Sequence, residues 1–534
     1  MAPEPTRPPR LARSAAAAGV ATMTSRILGL VRDQVIAAIF GAGAATDAYY
    51  VAFRIPNLLR DLFAEGAMSA AFIPTFTKHL TSSGKDSAWR LANNVINALA
   101  VITGVFVVLG IVFAEPLVRL MTDNEFTSDP TKLALTVQMA RVMLPTLTFI
   151  ALAAALMGML NSLHHFFIPA LSPAMFNVVT IAAAFVVVPF MPAFGIAPIV
   201  AIAASTTVGG LAQLALQWPT LRSEGFRYRP ALDWKDEGLR RVLLLMGPGT
   251  IGLAATQVNV LVNTALATGQ ETGAVTWLNQ AFRLMYLPIG LFGVSIATAT
   301  LPAVSRHIAQ NDRTAVRNTV VDGMSLMLMM NIPATVGLFL LSVPIVSLLF
   351  EHGKFTAADT LATAAALQYY ALGLVGYSVV RIASPTFYAL GRNRTPVVVS
   401  VVTVLVNAAL NIALVRVLGF RGLALGTSIA ALFNAVLLLY LLRGEVGGLN
   451  GTRLLASVSR IVVASAAMGV AAWASSSALE SWVPGQAVVM QIVRLAGSIG
   501  FSIAVLAGAA WLLRIREFKE GVALVARRFK RTTR

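Results

Sequence analysis

Apolar runs of membrane-spanning length recur from one end of the chain to the other, separated by short polar breaks. Val95–Phe113, Phe176–Pro189, Met324–Leu341, Pro396–Val415 and Gly497–Leu513 are examples. Several reach the roughly 20 residues that a helix needs to cross the hydrocarbon core. Apolar length and helix breakers predict about fourteen spans. Six lie near 15–40, 44–64, 91–114, 136–158, 171–193 and 196–219, and six near 242–268, 274–297, 318–343, 361–389, 396–416 and 422–442. Two more lie near 458–478 and 488–513. The expected fold class is an all-α polytopic membrane protein.

Some of these spans are far from uniformly apolar. The first contains Arg26 and Arg32, the second Arg54 and Arg60, and the eighth Arg283. A charge at the centre of a spanning helix costs about 2.5–3.5 kcal/mol even on the lenient insertion scale. Such helices must therefore turn these positions toward a wet cavity. At 100° per residue Arg26 and Arg32 lie about 120° apart, with Gly29 midway, leaving a gap where a ligand or a backbone fits. The second span carries Asp47, Tyr50, Arg54, Asn57 and Asp61, a polar stripe down one helix face, with Arg60 and Glu65 beside it and Pro56 as a kink. These charges either pair among themselves, Arg26 with Asp33 or Asp47 with Arg54, or hold an anion. Arginine keeps its charge at physiological pH and grips phosphate bidentately, so a phosphate-bearing ligand is the sharper reading.

Composition agrees with a membrane protein. The chain has 534 residues, 57% hydrophobic and 12% charged, against roughly 25% charged in soluble domains. With no cysteine, disulfides and thiol chemistry are excluded. The net charge of +18 does not call for nucleic acid. Its excess sits in alternate loops: Lys78/Lys85/Arg90, the run Arg222–Arg241, Arg306/Arg313/Arg317, Arg392/Arg394, Arg443/Arg453 and the tail 514–534. The intervening loops are bare, acidic or mixed, as at Asp123/Glu125/Asp129, Glu271 and Glu480. Basic loops face the cytoplasm, so both termini are expected there. Residues 1–13, rich in proline and arginine, read as a disordered cytoplasmic arm, and no cleavable signal peptide is seen. The histidines show no metal-ligand spacing, and no paired-carboxylate motif speaks for an enzyme. Thr356–Asp359 is a capping box that opens a helix.

The chain is also duplicated. Pro74 recurs as Pro302, Pro116 as Pro344 and Pro169 as Pro396, all at nearly the same offset. Phe126-Thr127 recurs as Phe355-Thr356, Arg54 as Arg283 and Arg90 as Arg317 at that offset too. Each copy holds six spans, an even number, so the two keep the same orientation. The expected organisation is a first lobe over 14–222, a second over 242–443, an additional helix pair over 458–513 and a basic cytoplasmic tail over 514–534. Parallel repeats with a site at their interface are a transporter architecture.

The run Thr24-Ser-Arg-Ile-Leu-Gly-Leu-Val-Arg-Asp33, followed by Phe40-Gly-Ala-Gly, Thr46-Asp-Ala, Ala52-Phe-Arg-Ile-Pro-Asn-Leu-Leu-Arg60 and Phe63-Ala-Glu-Gly-Ala67, resembles the MurJ (MviN) lipid II flippases of the MOP exporter superfamily. So do Ala281-Phe-Arg-Leu-Met285, Leu287-Pro288 and Gly353-Lys-Phe-Thr356. The resemblance spans essentially the whole chain. It implies fourteen spans in two lobes of a bacterial plasma-membrane protein, moving the undecaprenyl-diphosphate-linked peptidoglycan precursor from the inner to the outer leaflet by alternating access. It makes Arg26, Arg32 and Arg283 binders of the diphosphate, and Arg60 and Asp47 positions the family needs. Asn57 and Glu65 sit in its motif, and Arg54 joins the cationic set. The helix pair at 458–513 becomes a groove for the prenyl tail.

The chain departs from the family in two respects. Phe282 stands where an aspartate often precedes the second-lobe arginine, and the positions matching a sodium site, Asn263, Asn407, Asn411 and Thr427, are all neutral. Those amides serve equally as interhelical hydrogen bonds. No cofactor is implied; the membrane potential or a monovalent cation is the candidate energy source. Lipid II, membrane lipids and proteins of wall synthesis or division are the expected partners. The alternatives are another MOP-type polyprenol-oligosaccharide flippase, a multidrug exporter, a polyprenol-processing enzyme or a non-transporting scaffold of wall synthesis.

Overall fold

The computed structural model describes residues 8–61, 68–482, 484–485 and 487–519. Among them every regular element is a helix. Contacts divide the chain into two compact units, Met1–Val275 and Thr276–Arg534.

The first unit opens with α1 (Pro8–Phe40), α2 (Ala44–Arg60), α3 (Met68–Ser82), α4 (Gly84–Val112) and α5 (Ala114–Met121). It continues through α6 (Asn124–Ser128), α7 (Pro130–Met143), α8 (Thr146–Ser162), α9 (Phe167–Val186), α10 (Ile199–Ser223) and α11 (Glu237–Thr268). α1 starts at Pro8, inside the arm expected to be disordered up to residue 13. Proline is well suited to a helix's first turn, where its missing N–H leaves no bond unmade, and the alanine run that follows favours helix. α1 packs on α9, α2 on α7, and α10 on both α8 and α9. Phe72, Phe76, Trp89 and Phe226 form an aromatic core among the ends of α3, α4 and the segment after α10, with successive ring centroids 5.4–5.7 Å apart. Beside it Glu224 accepts from His165 at 2.8 Å and from Lys85 at 3.0 Å. The hydrogen bond from His165, then that from Lys85, holds the Glu224 carboxyl below its ordinary pKa. This clamp is therefore intact at neutral pH and is lost only as the pH falls through that lowered value.

In the second unit follow α12 (Ala274–Pro288), α13 (Val294–Ala309), α14 (Arg313–Leu340), α15 (Ser342–Phe350) and α16 (Ala357–Ala389). α17 (Arg394–Leu418), α18 (Phe420–Glu445), α19 (Gly451–Trp482) and α20 (Val488–Leu512) complete it. α16 packs on α18 and α14, α17 on α18, and α19 on α20 and α14. The element order repeats: α2 to α5 return as α12 to α15, and α7 and α9 as α16 and α17, with nearly one offset between their starting positions. Phe126 and Phe355, equivalent in the repeat, are both buried. The Asp129 carboxylate caps α7, and the Thr356–Asp359 capping box opens α16. α11, first helix of the second copy by its place in the repeat, packs on α3, α4 and α5. The division between units thus falls after Val275, where sequence alone placed it between residues 222 and 242.

Nine helices among the described residues are long and apolar enough to cross a membrane, counting α7 and α8 together as one. The other five expected spans correspond to α1, α2, α11, α12 and α16. Four of these, α1, α2, α12 and α16, carry arginines in their interiors. The helices outside the nine are in this way largely those that carry arginines in their interiors.

Small residues let α16 and α18 approach closely, as is usual for packing within a bilayer. A Cβ added at Gly376 would stand 2.5–2.7 Å from the backbone of Ala431 and Leu432. Gly376→Ala is therefore expected to destabilise the fold by about 1–3 kcal/mol, seen as a lower unfolding midpoint in detergent. Gly500→Ala, where a Cβ meets nothing within 4 Å, serves as the neutral control. Equal midpoints would show that this helix contact does not limit stability.

Candidate functional site

On α1, Arg26 is exposed whereas Arg32 is buried, with 7% of its surface accessible. The Arg32 guanidinium folds onto its neighbour, Nη2 and Nε donating to Asp33 Oδ1 at 2.8 and 3.1 Å. It lies 5.4 Å from the ring centroid of Phe176 on α9, a cation–π contact. Phe176 is in turn 6.1 Å from Phe53, which stacks on Tyr49 at 5.9 Å. Arg32 thus sits against an aromatic wall that ties α1, α2 and α9 together. The gap expected at Gly29 is taken by Asn177 of α9, whose amide nitrogen lies 3.6 Å from where a Cβ would be and donates to the Ser25 carbonyl at 3.1 Å. It serves helix packing rather than ligand approach.

The polar stripe of α2 is graded along its length. Asp47 and Tyr50 are buried, whereas Arg54, Asn57, Arg60 and Asp61 are partly exposed. Asp47 accepts from the backbone N–H of Gly273 at 2.7 Å. Gly273 has φ +103°, a backbone state natural only to glycine, so the turn between α11 and α12 presents its amide to the carboxylate. Arg60 repeats the device of Arg32, with Nη2 2.8 Å from Oδ1 of the following Asp61. Gln257 of α11 donates to the other Asp61 oxygen at 3.4 Å. Glu65 lies outside the described residues.

The second unit supplies a different surround. Arg283 is partly buried on α12. The neighbouring Phe282 stacks on Tyr286 at 5.7 Å and meets Tyr370 edge-on at 5.4 Å. Aromatic rings thus occupy the place where the resemblance led one to look for a carboxylate. Arg381 on α16 donates to the Tyr286 hydroxyl at 2.6 Å. It is an exposed cation that the sequence reading passed over, because a single arginine outside any spaced or repeated motif carries no local signal. Trp277 donates its indole N–H to Asp359 at 2.9 Å, tying α12 to the start of α16.

Of the positions considered for a cation, Asn263 stands on α11 in the first unit. In the second, Asn407 and Asn411 are buried and bonded to each other at 3.2 Å. The Thr427 hydroxyl donates to the Leu423 carbonyl of its own helix at 2.8 Å. Each of these two bonds lies within a single helix, the first in α17 and the second in α18. Among the described residues no group of three or more His, Cys, Asp or Glu is placed to hold a metal.

The family model described as "Lipid II flippase MurJ" matches residues 36–493. A probable lipid II flippase MurJ of Bdellovibrio bacteriovorus is 37% identical over 84% of this chain and 85% of its own. One of Vibrio cholerae is 32% identical over 95% of this chain and 97% of its own. Among solved structures, a lipid II flippase MurJ in an inward closed conformation superposes with a TM-score of 0.74 at 26% identity, covering 93% of this chain and 99% of its own. An inward-facing multidrug resistance MATE transporter of the MOP superfamily reaches 0.68 at 15% identity, covering 82% of this chain and 99% of its own, a likeness of fold alone. Because the family model and these two flippase relatives each match most of its length, the chain belongs to the MurJ family.

Proposed function

We propose that this multi-pass inner-membrane protein is a transporter that flips lipid II from the cytoplasmic to the outer leaflet by alternating access. The observation that carries the reading is the placement of arginines within membrane helices of a MurJ-family chain: Arg26, Arg54 and Arg60 on α1 and α2, Arg283 and Arg381 on α12 and α16. A diphosphate matches that chemistry, since each guanidinium presents a planar fork to two phosphate oxygens. The roles of these arginines differ. Arg26, exposed, is the α1 residue that meets the diphosphate; Arg32, buried against Phe176, positions the helix that carries it. Asp47 holds the end of α2 to the Gly273 turn, and the partly exposed Arg54, Asn57 and Arg60 continue the polar track. Arg283 stands on α12 next to Phe282, which packs against Tyr286 and Tyr370. A multidrug exporter of cations calls for carboxylates where this chain has arginines. Both termini lie in the cytoplasm on this reading, and the groove for the prenyl tail is formed by α19 and α20.

In cells depleted of the protein, lipid II is expected to accumulate out of reach of a reagent confined to the outer face. The native chain restores access, and Arg26→Ala and Arg283→Ala do not, each losing about 1.5–3 kcal/mol of charge-assisted binding. Full rescue by both alanine variants would sink the assignment.

Stability separates the two arginines of α1. Arg32→Ala is expected to lower the unfolding free energy by about 3–5 kcal/mol, because it breaks a buried ion pair; Arg26→Ala leaves the melting midpoint of purified protein in place. Comparable losses in both would remove the distinction between binder and positioner.

The membrane potential is the proposed driving force for returning cationic helices after release. One charge crossing the whole field is worth about 2.3 kcal/mol per 100 mV. In vesicles holding the purified chain, dissipating the potential with an ionophore should slow flipping severalfold; an unchanged rate would exclude this source.

A further inference from the structure

A cavity of about 640 Å³ opens in the second unit where α15, the end of α19 and the start of α20 meet. It lies at the end of the helices opposite the basic loops, beside the acidic connection that carries Glu480. Its charge is mixed. Glu351 and Glu480 contribute two carboxylates, Arg494 one guanidinium and His352 an imidazole that lies 3.0 Å from the Leu348 carbonyl. Arg494 commits one N–H to the Gly485 carbonyl at 2.8 Å, which leaves donors of its fork for another acceptor. In the same lining, the Ser498 hydroxyl is 1% exposed and has no hydrogen-bond partner among the described residues. A buried hydroxyl without a partner is costly and calls for a ligand or water.

The pattern discriminates between ligands. Two carboxylates repel a diphosphate, so this cavity is not a second site for the anion that suits Arg26 and Arg283. The carboxylates are not arranged with other ligating groups to hold a metal among the described residues. A small zwitterion with a primary ammonium and a single phosphate satisfies both signs at once. The surroundings add that it is a lipid. Trp482, at the end of α19, is 77% exposed, as expected for an aromatic side chain at the level of the headgroups. Beyond the cavity α20 turns Val489, Ile492, Val493 and Ile503 outward, a surface for acyl chains.

We infer that this cavity holds the headgroup of an aminophospholipid, wedged between α15 and α20. The ammonium lies against Glu351 and Glu480, the phosphate takes Arg494, and an ester or phosphate oxygen accepts from Ser498. The acyl chains run down the outward face of α20. The site goes beyond flipping, and its readout needs no transport.

The test is retention of dioleoylphosphatidylethanolamine by the purified full-length chain, followed by native mass spectrometry in competition with phosphatidylglycerol and phosphatidylcholine of the same chain length. Phosphatidylethanolamine is expected to be held in preference to both, since phosphatidylcholine offers no N–H and phosphatidylglycerol no cation. Glu480→Gln and Arg494→Gln should each weaken its retention about tenfold. Glu480 is exposed, so Glu480→Gln is expected to keep the native melting midpoint, and that measurement separates lost binding from lost fold. Competition by free phosphoethanolamine would assign recognition to the headgroup. Equal retention of the three lipids, or undiminished phosphatidylethanolamine retention in a folded Glu480→Gln, would overturn the inference.

Discussion

The molecule is organised by the cost of placing charge in hydrocarbon. A guanidinium at the bilayer centre is tolerated only when protein, water or a ligand solvates it. Arg32 and Arg60 meet this demand with the carboxylate of the very next residue. Such a pair forms as soon as the helix does and needs no distant partner to be correct. It offsets the charge of that one guanidinium while the helix inserts. Arg26 has no acidic neighbour in sequence and stays exposed, which suits contact with a substrate better than a role in packing.

The duplication then accounts for what differs between the halves. Both copies repeat the same succession of helix lengths, with a buried phenylalanine before the long helix of each. Their aromatic and polar surroundings have diverged. The first copy pairs Arg32 and Arg60 with aspartates, whereas the second sets Phe282, Tyr286 and Tyr370 around the Arg283 position.

Much of this was readable in the chain before any coordinates. Helix existence, the arginines, the duplication and the Thr356 capping box rest on local spacing or on repeated residues, which sequence displays directly. What it withheld depends on packing between distant segments. Gly29 looked like an opening because helical geometry reports the face of α1 but not the arrival of Asn177 from α9, far later in the chain. Asp47 read as one member of a polar stripe, but the Gly273 amide that it accepts from lies on the far side of α11 in sequence. Arg381 gave no signal because its partner, Tyr286, is on another helix. The start of α1 at Pro8 was likewise hidden, since a proline in a helix's first turn looks the same in sequence as one in an irregular arm.

The mixed-charge cavity gives that history a further turn. Glu480 entered the sequence reading only as an acid of a loop, and Glu351 and Arg494 did not enter it at all. Brought together by α15, α19 and α20, they make a recess whose charge is opposed to that of the arginine helices. Two lipid chemistries are then sorted on one protein without a shared site. A diphosphate is repelled by the two carboxylates of the recess and drawn to arginines elsewhere, while an ammonium is drawn to those carboxylates. Because Coulomb forces in a low-dielectric surround are strong at short range, the segregation lets a bound bilayer lipid brace α20 without competing for the arginines of α1, α2 and α12.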